Sequence, residues 1–226
     1  GGNRVADGPY GSGYALDFLN TANHEFLIPD SAQIQPGADD FTWILWYKPH
    51  NEGRTGICAD ADQDWWLSLE FCRSDGIVAT SNVSLWAGSG GGWNIFQNDN
   101  SGAQNAGTGI QPLKFEEWNQ IVVTREGDVF KTYINGFLDL NKDITGWLPS
   151  GTGIANFPGD KVIGRWWTRP AMKGIDAVID EFAVLDWPVS QEEAVWLLTN
   201  PVPLDPNVDM PDPSTLPGLP SHPNLS

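Results

Sequence analysis

Basic residues are scarce in this chain. Its 226 residues hold 12 Lys+Arg against 29 Asp+Glu, a formal net charge of −17. So acidic a protein lacks the cationic footprint that a phosphate backbone selects, which argues against nucleic acid as a partner. An anionic membrane surface is disfavoured for the same reason. Long apolar runs are missing too: no stretch approaches the ~20 residues that span a bilayer, and Gly1-Gly2-Asn3 reads as a trimmed or processed start. Histidine is limited to His24, His50 and His222, and cysteine to Cys58 and Cys72. Two thiols with no histidine near them do not build a structural zinc site. A disulfide between Cys58 and Cys72, closing a hairpin-like loop and contributing about 3 kcal/mol, is favoured over two buried thiols.

Aromatics and turn formers are abundant. Twelve Trp, ten Phe and four Tyr accompany 25 Gly and 17 Pro, a composition of short strands and many turns. Residues 1–13 form a Gly-rich arm. Strand signals follow at 14–19 and 25–29, the second stopped by Pro29. The segment 41–48 is apolar on both faces, as a strand inside a sandwich should be. Thr42, Ile44, Trp46 and Lys48 alternate there with Phe41, Trp43, Leu45 and Tyr47. Trp46 and Trp118 read as core residues. Further strands fall at 65–71 and 77–86. Residues 87–109 are a long loop or two poorly marked strands. The clearest hairpins follow, 118–125 and 129–134 around Glu126-Gly127-Asp128, then Asn135-Gly136, the strongest two-residue turn signal. Strands at 161–167 and 177–185 precede Ser190-Gln191-Glu192-Glu193, a capping box opening one helix to Leu198. The tail, 199–226, is Pro-rich and without apolar period.

The motifs 15–18, 41–49, 118–125 with Tyr133-Ile134-Asn135-Gly136, Val162-Ile163-Gly164 and 179–184 occur in the order seen in the laminin-G-like branch of the concanavalin A-like lectin/glucanase fold. The chain resembles that family over about residues 14–198. The resemblance implies an all-β fold, two antiparallel sheets packed as a jelly-roll β-sandwich, with one C-terminal helix. The fold hosts lectins, hydrolases, lyases and structural modules alike, so function has to be argued from the site.

Catalytic residues are not expected. Glycosidases of this fold carry paired carboxylates on one cleft strand. The nearest spacing, Asp176 to Glu181, falls on a late strand, and Asp60, Asp62 and Asp64 sit in a loop-like stretch. That acidic run has Trp65 where a calcium-binding EF loop needs glycine. The resemblance does imply one structural calcium ion, with its carboxylate at Asp180 and with Asp17 and the Gly37 backbone as further ligands.

Several indoles remain beyond those assigned to packing. Adjacent strand residues face opposite ways, so one member of Trp65/Trp66 and one of Trp166/Trp167 should face away from the core. Flat indoles suit the apolar faces of sugar rings, while amides and carboxylates take the hydroxyls. Trp65, Trp66, Trp86, Trp93, Asn94, Asp99, Arg165, Trp166 and Trp167 are the expected ligand residues. The same Trp and Arg would also serve a protein interface. The leading expectation is a non-catalytic, secreted or cell- or virion-surface module that binds a polysaccharide or glycan. The alternatives are a structural assembly protein whose arm and tail dock on other copies, and a divergent glycosidase or polysaccharide lyase.

Overall fold

The computed structural model describes residues 3–11, 13–18, 26–29, 40–50, 114, 116–143, 145 and 177–200, together with the strand backbones at 65–70, 81–88, 93–99, 102–108 and 161–163. The strands are β1 (Asn3–Val5), β2 (Ala15–Phe18), β3 (Phe26–Ile28), β4 (Phe41–Pro49), β5 (Trp65–Glu70), β6 (Ser81–Gly88), β7 (Trp93–Asp99), β8 (Gly102–Thr108), β9 (Asn119–Glu126), β10 (Val129–Ile134), β11 (Phe137–Asp143), β12 (Lys161–Ile163) and β13 (Ala177–Leu185). One helix, α1 (Gln191–Trp196), follows. The expected sandwich is formed by a seven-stranded sheet, β1-β2-β13-β4-β9-β10-β11, and a six-stranded sheet, β3-β12-β5-β6-β7-β8. Every pairing is antiparallel. Residues 87–109 resolve into the second reading of the sequence, since β7 and β8 both lie there.

Both faces of β4 are buried, because the seven-stranded sheet is covered on both sides. On one face Phe41, Trp43, Leu45 and Tyr47 are all about 1% exposed, and Phe41 stacks against Trp43 and, edge-on, Phe130. On the other, Ile44, Val122, Tyr133 and Leu185 pack with Val189, Ala194 and Leu197 of the helical segment. Thr42 fixes that connection: its hydroxyl donates to Trp187 O (2.7 Å) and accepts from Val189 N (2.8 Å). The helix starts where the sequence placed it. Glu193 N donates to Ser190 Oγ, and Ser190 N donates to Glu193 Oε2, the two halves of a capping box.

The hairpin at Asn135-Gly136 takes positive φ at both residues, 51° and 77°, as a two-residue turn matched to strand twist requires. Gly136 has a second reason to be glycine, since a Cβ there would stand 2.9 Å from Val195 Cγ2 of α1. Asn119, fully buried, ties the approach to β9: its amide donates to Lys114 O (2.8 Å) and Glu117 O (3.0 Å), and its oxygen accepts from Lys114 N (2.9 Å).

Within the Gly-rich stretch expected to be an arm, residues 3–5 form an edge strand of the seven-stranded sheet, and residues 6–10 follow it with a bend and a turn. β1 pairs with β2 at the edge. Arg4 lies over the Tyr14 ring at 3.8 Å, and Lys48 donates to Asp7 at 2.9 Å. These contacts fasten this stretch to its own chain. Trp46 is buried as expected, but on the face of β4 covered by this segment, beneath Tyr10. Cys58, Cys72, Gly37, Arg165, Trp166, Trp167 and the Pro-rich tail beyond residue 200 lie outside the described residues.

Candidate functional site

Two regions hold the candidate residues. The first is the six-stranded sheet. Across β5, β6, β7 and β8, one register row reads Ser68, Trp86, Asn94, Thr108; the row two residues on reads Glu70, Ser84, Phe96, Asn105. Between them lies Leu69, Leu85, Ile95, continued by Ile163 of β12. Alternation therefore divides these strands into two sets. One is aliphatic at its centre. The other combines aromatics with amides and hydroxyls.

This division sorts the expected ligand residues. Trp65 pairs with Gly88, two positions from Trp86, so Trp65, Trp86 and Asn94 fall in the mixed polar and aromatic set. Trp93 pairs with Ala87 and joins the aliphatic set. Asp99 shares its alternation and sits at the far end of β7, opposite Ser81 and Gly102. The Trp65/Trp66 pair does not follow simple alternation, because the ladder shifts between Trp65 and Leu67 and leaves Trp66 in the bulge. Ser68, Glu70, Phe96 and Asn105 join the polar set unanticipated. For Phe96 and Asn105 the signal was alternation, readable only once β7 and β8 are known to be strands; for Ser68 and Glu70 it was already present in the expected strand 65–71.

The second region lies on the seven-stranded sheet beside Tyr10. Asp180 pairs with Trp46 in the β13–β4 ladder, which then shifts before Ala183. In that bulge Glu181 takes φ of 51°, and its N–H donates to Asp180 Oδ1 at 2.9 Å. Burial pushes both carboxyls above their ordinary range, and the Asp180 charge raises Glu181 further. Their charges, after burial itself, also help raise the Tyr10 phenol to about 12. Asp17, the expected second calcium ligand, stands opposite Val178 rather than Asp180 and is taken up by His50, Nε2 to Oδ1 2.7 Å. No group of three or more metal-ligating side chains occurs among the described residues. The donors there that suit a hard, oxygen-seeking cation are the adjacent carboxyls of Asp180 and Glu181, with Asp17 engaged elsewhere.

The two antiparallel sheets and the helix α1 define a jelly-roll sandwich of the lectin type. The chain belongs to the Laminin_G_3 family of the concanavalin A-like lectin/glucanases superfamily, which it matches over residues 20–194. No curated protein matches it. Among solved structures it is similar to domain 4 of AbnA, an extracellular GH43 arabinanase from Geobacillus stearothermophilus in complex with arabinotriose. That match has a TM-score of 0.59 at 18% identity, over 88% of this chain and 82% of the other. It is similar also to the heptameric SAP-like pentraxin of Limulus polyphemus (TM-score 0.51, 14% identity, 80% of each chain). The LG4-5 domains of mouse laminin α1 match with TM-score 0.55 and 10% identity, over 79% of this chain and 43% of theirs. At these identities the likeness is one of fold.

Proposed function

We propose that the chain is a non-catalytic carbohydrate-binding module, secreted or displayed on a surface, and that its ligand lies on the polar and aromatic register set of the six-stranded sheet. The observation that carries this reading is the alignment of Trp65, Trp86 and Asn94 in one register set, separate from the set of Leu69, Leu85 and Ile95. Indoles offer flat apolar surface to sugar rings, and amides offer both donors and acceptors to hydroxyls. The similarity to an arabinanase domain solved with arabinotriose supports it. No helix among the described residues is long and apolar enough to cross a membrane. The test is binding of the intact chain to a polysaccharide panel, with and without calcium. Retention on at least one polysaccharide without release of product is expected; failure on every member overturns the reading, and product release would replace it with an enzyme.

A structural calcium ion at Asp180 is the second part of the proposal, supported by the adjacent half-buried carboxyls. Calcium should raise the thermal midpoint of the chain, and Asp180→Asn should abolish the increase. A midpoint indifferent to calcium rejects the site.

A further inference from the structure

We propose that the ligand of the Trp86 and Asn94 surface is an uncharged polysaccharide, engaged as a chain lying across β5 to β8. This rests on the carbohydrate-binding reading above and narrows it to a chemical class.

The first argument is the chemistry of the set. Its rows supply hydroxyls at Ser68, Ser84 and Thr108 and amides at Asn94 and Asn105, and the same alternation adds Asn82 and Asn98, which pair with each other. Among the described residues no lysine, arginine or histidine falls in it, and Glu70 is its one carboxylate. A uronate or sulfated sugar is recognised through cations, above all the planar fork of arginine. Here it would meet Glu70 and the field of a chain of net charge −17, which opposes a polyanion over its whole approach. An amino sugar would call for several carboxylates, and only Glu70 is present. Neutral hydroxyls are the partners that amides and hydroxyls satisfy in both directions.

The second argument is extent. A row through four strands crosses three inter-strand intervals of about 4.8 Å, about 14 Å in all. Along it the aromatic positions are staggered. Trp65 is on β5, Trp86 on β6 and Phe96 on β7, in different rows. A single sugar uses one such platform; a chain uses successive ones.

The experiment measures binding of the full chain by affinity electrophoresis and calorimetry. The probes are neutral polysaccharides (arabinan, xylan, mannan, mixed-linkage glucan), acidic ones (polygalacturonate, alginate, chondroitin sulfate) and chitosan, with oligosaccharides of increasing length from any polymer that binds. Trp86→Ala and Asn94→Ala are the site variants. Trp187→Ala, whose indole is exposed beyond β13, is the control. Folding of each is checked by circular dichroism, so that Asn94→Ala still reads the site if Trp86→Ala does not fold. Expected are binding confined to neutral polymers, affinity that rises with oligosaccharide length, and a loss of roughly tenfold or more in Trp86→Ala with Trp187→Ala unchanged. Binding only to acidic polymers or chitosan overturns the neutral class while leaving a carbohydrate-binding module. Neutral binding that both site variants retain, or that a monosaccharide matches in affinity, overturns the surface or the chain-like mode. Silence across the whole panel instead removes the carbohydrate reading itself.

Discussion

Tyr10 stands edge-on to Trp46, ring centroids 5.6 Å apart and planes at 74°, and its oxygen accepts the indole Nε1–H at 3.1 Å. The same hydroxyl reaches Leu197 O at 3.1 Å and Asn200 O at 3.2 Å. One phenol thus joins the N-terminal segment, the central strand β4 and the end of α1.

Tyr10→Phe keeps the ring contact and removes those hydrogen bonds, leaving a buried indole N–H without its acceptor. It should cost about 1–3 kcal/mol, read as a lower urea midpoint with an unchanged slope. Tyr10→Ala should cost more, because the ring contact goes too. Equal stability of wild type and Tyr10→Phe would mean that the phenol does not bridge the N-terminal segment and the end of α1.

Gly136→Ala should destabilise by about 2 kcal/mol. The residue has φ of 77° and would bring its Cβ against both Val195 Cγ2 and the Val195 backbone. Gly127, with φ of 56° and nothing within 4 Å of a built Cβ, separates the two causes. Gly127→Ala pays only the backbone strain, so the difference between the two variants in a thermal melt reports the helix contact.

Gln120 is fully buried, and its amide nitrogen and oxygen have no partner among the described residues. A buried unsatisfied amide is destabilising relative to an apolar group of like shape. Gln120→Met should therefore raise stability by about 1 kcal/mol, measured by chemical denaturation. A loss of stability would show that the amide has work elsewhere in the fold.

Alkaline pH should unfold the protein in a defined window. Burial is the main cause that raises Tyr10 and Tyr133 to about 12, with nearby carboxylates adding to it. The unfolded phenols ionise near 10. Stability from keeping them neutral is therefore whole below about pH 10 and lost as pH rises through about 12. The urea midpoint should fall steeply across that interval, and less steeply in Tyr10→Phe. A midpoint flat through the window would contradict the burial of both rings.

Much of the sandwich was legible because its signals are local. Alternation in 41–48, the Asn135-Gly136 turn and the Ser190–Glu193 box each act within a few residues, and each formed as read. What was not legible depends on distant partners. The segment 87–109 is poor in β-branched residues, and only the pairing of β7 with β6 and of β8 with β7 makes strands of it. Trp66 follows Trp65 on an ordinary strand until a ladder shift, invisible in sequence, takes it out of alternation. Trp93 and Trp86 look alike in composition, and only register separates them. The contact of Asp17 with His50, thirty-three positions along the chain, had no local signal either. The Gly-rich start hid Tyr10, whose partners are 36 and 187 residues away.

The bond from Tyr10 to the backbone at Leu197 and Asn200 brings two stretches of chain 190 residues apart to one doorway beside the larger sheet. A break in the chain at either stretch would therefore loosen the other. The Trp86 ladder belongs to the other sheet, so a cross-link engineered between residues 10 and 200 should fasten the doorway without touching the proposed ligand surface.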